Sequence, residues 1–250
     1  MFPRSRHARA VRVFLISSPF VLALHGASPI RAGAAEATLR GLRTDRLSRN
    51  ELRTWTRILQ IVMAEDRAGH SLHPTLRALW DAVDASGHVV YLEMRPRKES
   101  FIAGRFAITR VDPSGKAHEA ILILNPGVID ELSTGPGSAR DGGFIPFEGL
   151  DKYERYAELL GHELAHAVWT FAEPNRARLV MPLQIENEQV MRRVLDGTIR
   201  SGDRARVSEL VRLSKTLEEP AEAAELAVWR ELRAGQRCRW RTRPGTSCFK

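Results

Sequence analysis

The sequence predicts an α+β fold, with helices first, a small sheet in the middle and helices again to the end. Three observations carry this. Apolar residues recur at helical spacing in two stretches before residue 85. Between residues 89 and 124 the pattern changes to short runs of strand formers separated by turn residues. From Asp151 almost to Gly235 the chain reads as helix once more. Helices segregated from a single small sheet are the mark of this class.

The chain has 250 residues. Its beginning does not read as fold. Arg4, Arg6, Arg9 and Arg12 make a basic start without an acid, and an apolar run follows from Val13 to Leu24. Small residues come next, with Ala32-Gly33-Ala34 as an A-x-A site ahead of Ala35. This order is that of a secretory signal peptide over residues 1–34. The run is broken by Ser17, Ser18 and Pro19, too short for a spanning helix of about 20 residues. The expectation is export to the periplasm or the outside, with no stable membrane span after cleavage. An uncleaved anchor is the alternative.

Removing the leader's five arginines (Arg4, Arg6, Arg9, Arg12, Arg31) lowers the formal charge from +8 to +3. The basic balance is therefore poor grounds for a nucleic-acid partner, and none is expected. Residues 35–235 read as one domain, followed by a basic tail at 236–250. That tail carries both cysteines, Cys238 and Cys248. In an exported chain such a close pair favours a disulfide.

Within the domain, Leu52, Trp55, Leu59 and Val62 share a helical face behind Asp45 or Ser48 as possible caps. Leu76, Leu79, Trp80 and Val83 do the same behind Pro74. Three strands follow: Val89 to Met94, Phe106 to Val111 and Ala120 to Leu124. Asp112-Pro113-Ser114-Gly115 is a short turn, so the last two strands should form an antiparallel hairpin. A three-stranded, largely antiparallel sheet is expected, with 120–124 as its edge. The loop from Ser133 to Gly149 holds apolar Phe144 to Phe147 between glycines and reads as a lid or a cover.

The chemistry sits in His162-Glu163-Leu164-Ala165-His166. Two histidines four apart on a helix project from one face, so two neutral imidazoles can take two corners of a zinc tetrahedron. Glu163 lies about 100° round the helix, where it can act as general base on a water activated by the cation. The pattern needs these residue types at this spacing. The neighbours Leu159, Leu160, Gly161, Leu164, Ala165, Ala167 and Val168 are uncharged, as a buried helix requires. A core helix with two satisfied histidines is the plain structural alternative.

Leu160-Gly161-His162-Glu163-Leu164-Ala165-His166-Ala167-Val168 resembles the active-site helix of zincin metallopeptidases. The likeness covers roughly residues 88–170 and is specific over about ten of them. It implies a zinc peptidase in which a small sheet precedes the helix and the sheet's edge binds extended peptide or protein substrate. No histidine follows His166, which implies the gluzincin-like branch, with a downstream glutamate as third ligand. Glu186 stands 20 residues after His166 and shares a side with Leu179, Leu183, Val190 and Val194. Glu188 follows Asn187, but Arg192 occupies the position where that branch has an aspartate. Glu222 and Glu225 lie on an alanine-rich stretch that Pro220 should start as a helix. Glu225 also sits amid Ala221, Val228, Trp229 and Leu232, so its carboxylate should be buried and in need of a partner. Glu186 leads, with Glu222, Glu225 and Glu188 as alternatives. Tyr153 or Tyr156 could stabilise an oxyanion or simply pack. Two other functions fit the same residues: a non-catalytic envelope scaffold of this fold, and a zinc amidase on a non-peptide substrate.

Overall fold

The computed structural model describes residues 41–95, 103–114, 117–132, 149–173, most of 178–198, and 202–241. The leader, Ala35, nearly all of the 133–149 loop, Glu188 and Cys248 lie outside these residues, as does the side chain of Cys238. The expected cleavage site, lid and disulfide therefore fall outside them as well.

The fold is mixed α+β. Strand β1 (Leu42–Arg43) leads into helices α1 (Arg49–Val62) and α2 (Pro74–Ala85). Strands β2 (Val89–Met94), β3 (Gly104–Val111) and β4 (Ala117–Leu124) follow, then α3 (Pro126–Leu132), α4 (Lys152–Ala172) and α5 (Asp203–Arg241). Helical positions also recur between 178 and 193. No described helix is long and apolar enough to cross a membrane.

The start of α1 is set by Ser48, not Asp45. The Ser48 hydroxyl accepts from the Glu51 amide, while the Glu51 carboxylate accepts from the Ser48 amide. This reciprocal box satisfies two otherwise orphaned donors. The core face of α1 is Trp55, Ile58 and Val62, with Leu52 turned outward at 40% exposure. On α2, Leu76, Trp80 and Val83 are buried. Pro74 supplies the preset φ of a first helical residue.

The sheet differs from the expected one. It has four strands in the order β1-β2-β4-β3, and only the β3–β4 pair is antiparallel. The hairpin is as the turn sequence predicts. Strand β4 is not an edge: it pairs with β2 from Val89↔Glu119 to Met94↔Leu124 and with β3 on its other side. The physical reason is legible in its composition. Ile121-Leu122-Ile123-Leu124 is a continuous apolar run, which suits a central strand covered on both sides better than an exposed one. Leu122 and Leu124 are fully buried and Ile123 nearly so. Among the described residues the outer strands are β1 and β3. Strand β1 is two residues long, too short to show a period-two pattern.

Helix α4 runs through the centre. It touches α1, α2, α3, α5, β3 and β4, and thirteen of its residues are buried. Its start is fixed by another reciprocal box, Asp151 with Glu154, and Gln236 of α5 also reaches the Glu154 carboxylate. Helix α5 passes α4 antiparallel. Its Gln236, Val228, Glu225 and Glu218 meet Glu154, Gly161, His162 and His166 in turn. Pro220 does not start this helix but lies inside it. A proline there frees the carbonyl four residues earlier and bends the axis.

Candidate metal centre

The α4–α5 crossing brings two histidines and two glutamates together in the interior. His162 is 1% exposed, Glu218 5% and Glu225 3%. His162 Nε2 and His166 Nε2 lie 3.2 Å apart, and Glu218 Oε2 is 3.2 Å from each. His162, His166 and Glu218 could hold a metal ion.

The donor set passes a simple geometric test. Nitrogen and oxygen donors about 2.0–2.1 Å from a tetrahedral zinc stand roughly 3.3–3.4 Å from one another. Three donor atoms mutually 3.2 Å apart fit that edge length. The charges fit as well. Two buried carboxylates, Glu218 and Glu225, contact the two imidazoles, and buried carboxylates are costly without positive charge beside them.

Glu225 orients the first histidine. Its Oε2 is 3.0 Å from His162 Nδ1, which holds a proton on Nδ1 and turns Nε2 towards Glu218 and His166. A carboxylate on the far nitrogen is the usual support for a metal-binding histidine. The same contacts shape the titration. Burial alone would push His162 down, but the Glu218 and Glu225 carboxylates outweigh it and raise the ring to about 10. Burial would push Glu218 up, yet the two imidazoles bring it down to about 2.

Glu163 has a different environment. It is 4% exposed, and burial raises its pKa against the opposing pull of His162 and His166. Its carboxylate lies against the first residue of β3. A Cβ built on Gly104 would stand 2.5 Å from Glu163 Oε1 and 2.8 Å from Leu159 Cδ1. Glycine at 104 is what lets the strand backbone approach the carboxylate so closely.

The other sequence candidates lie elsewhere. Glu186, expected as third ligand, is turned to Arg206, whose guanidinium takes both of its oxygens; that pairing holds its carboxyl below the usual range. Glu222 is exposed. Tyr153 is 36% exposed. Tyr156 is buried, with its hydroxyl donating to Asp130 at 3.5 Å.

Glu218 is the residue that sequence reasoning passed over. A signal for it existed. Glu218, Ala221, Glu225, Val228 and Leu232 alternate at three and four residues and are all buried, the stripe of one packed helix face. Compared with protein-family models, curated proteins and solved structures, the chain finds no match.

Proposed function

We propose that this chain is an exported zinc-dependent hydrolase that cleaves peptide bonds, with His162, His166 and Glu218 as metal ligands and Glu163 as general base. Three donor atoms spaced as zinc ligands, with the buried Glu163 next to His162 on the same helix, carry this reading. A cation held there supplies a Lewis acid that polarises a carbonyl and brings the pKa of a water towards about 7.

The rest of the chemistry falls to the chain's own residues. Glu163 takes a proton from the attacking water on a carboxylate oxygen and returns it to the departing amine nitrogen, so water is added across the C–N bond. Glu225 keeps His162 in position. The peptide preference rests on β3. It is one of the two terminal strands among the described residues, the other being the two-residue β1, and it starts at Gly104, beside Glu163. An outer strand offers N–H and C=O groups to an extended chain. The leader pattern supports export.

The test is hydrolysis of a mixed peptide library by the zinc-loaded parent and by Glu163→Gln, with metal measured in both. The expected result is cleavage by the parent and a loss of roughly 10²–10⁴-fold in the variant, at unchanged metal content. Undiminished cleavage by the variant refutes the role of Glu163. Zinc binding without cleavage of any peptide identifies a binding protein instead, or a hydrolase of other amides.

A further inference from the structure

We infer that Gly161 is a positioning residue for the metal centre. By carrying no side chain, it sets the separation of α4 and α5 at which Glu218 reaches His162 and His166. The inference rests on the metal-centre reading above and goes beyond it, because Gly161 has no side chain to offer as a ligand.

The crossing geometry carries it. A Cβ built on Gly161 would lie 2.9 Å from Val228 Cγ2 and 3.5 Å from Val228 Cβ. On its other side the nearest atom is Leu76 Cδ1 at 3.5 Å, an ordinary contact. The obstruction is therefore one residue on α5. Val228 is fully buried and β-branched, with a stiff χ1, so its methyl groups cannot swing aside cheaply. Carbon atoms rest about 3.5–4.0 Å apart. Admitting a methyl group thus forces α5 away from α4 by roughly 0.6 Å or more.

That displacement is large on the scale of the site. Glu225 lies one turn from Val228 and Glu218 less than two turns further, on the same buried face. Metal–ligand distances hold to about ±0.2 Å. A shift three times that tolerance moves the third ligand off its position, while both histidines stay on α4. The contact also supports the histidine clamp, since His162 reaches Glu225 with one nitrogen and Glu218 with the other. Nothing in helix propensity asks for glycine here; alanine is the better helix former.

The experiment is competition titration with Zn²⁺ alone against a chromophoric chelator, on four full-length proteins: parent, Gly161→Ala, Val228→Ala and the double variant. The expected result is a 10–100-fold fall in zinc affinity for Gly161→Ala, the range typical of disturbed ligand support. The double variant has the room that the single one lacks, so it should return to the affinity of Val228→Ala. Its stability to urea should nevertheless stay below the parent's, because a cavity remains. Affinity restored while stability stays low is a result that a purely structural glycine would not give.

Gly161→Ala binding as tightly as the parent overturns the inference, and so does a double variant as weak as Gly161→Ala. If Gly161→Ala does not fold, the double variant decides: folded with the affinity of Val228→Ala supports the inference, and unfolded overturns it. A parent that takes up no zinc overturns the metal-centre reading and this inference with it.

Discussion

His162 and Glu225 meet 3.0 Å apart, Nδ1 to Oε2, across 63 residues of sequence. The contact is buried from both sides and fixes which nitrogen of the ring faces Glu218 and His166. Replacing Glu225 with alanine should therefore lower zinc affinity about 10–100-fold without removing a ligand. Glutamine, which keeps the shape and an acceptor, should cost less. Competition titration of both variants checks this, and an alanine variant with parental affinity would contradict it.

The same pairing sets a pH dependence. In the cation-free protein His162 has its pKa raised from 6.5 to about 10, so it carries a proton at neutral pH and must release it to bind zinc. About one proton should be released per zinc at pH 7, and affinity should climb with pH towards 10. For the cation-free fold the signs are opposite for the two partners. The raised His162 contributes stability that is complete below 6.5 and lost as pH rises through about 10. The lowered Glu218 contributes stability that is complete above 4.5 and lost as pH falls through about 2. Calorimetry in buffers of different ionisation enthalpy measures the proton. Flat affinity between pH 6 and 8 with no proton released would be the opposing result.

Gly104 offers a way to disturb Glu163 while leaving the ligands alone. Gly104→Ala places a methyl group within 2.5 Å of Glu163 Oε1 and 2.8 Å of Leu159 Cδ1. Zinc content should hold, and kcat should fall by about 10²-fold or more. Adding Leu159→Ala relieves only the leucine clash, so it should not restore turnover. Full activity in Gly104→Ala would mean that the carboxylate has room to move.

Stability has its own test at the start of α2. That helix has no side-chain cap from His73. Instead the Thr75 amide donates to Glu231 of α5, at 2.9 and 3.2 Å to its two oxygens. Glu231→Ala should cost about 0.5–2 kcal/mol, as loss of an N-terminal acceptor does, while Glu231→Gln should recover most of it. Urea unfolding measures both. An unchanged midpoint in the alanine variant would show the contact to be idle.

Much of this was legible in the sequence, and the rest was hidden for physical reasons. His162, Glu163 and His166 are a local pattern on one helix, so spacing alone places their side chains. The β3–β4 hairpin is local too, and its turn residues announce it. The parallel β2–β4 pair is not local: β3 lies between them in sequence and outside them in the sheet. Glu218 was hidden by Pro220. Read as a helix start, the proline ends the buried stripe at Ala221; read as a bend, it lets the stripe run back to Glu218. Glu186 had the expected spacing and apolar neighbours, but Arg206, 20 residues on, claims it. No local pattern foretells an ion pair between two helical segments.

The identity of the third ligand tests the metal centre most directly. Parent, Glu218→Ala and Glu186→Ala should be purified in parallel and their bound zinc measured by mass spectrometry. The expected result is one zinc per chain in the parent and in Glu186→Ala, with the metal lost or bound far more weakly in Glu218→Ala. Equal zinc in Glu218→Ala and the parent, or loss of zinc in Glu186→Ala alone, would contradict the site described.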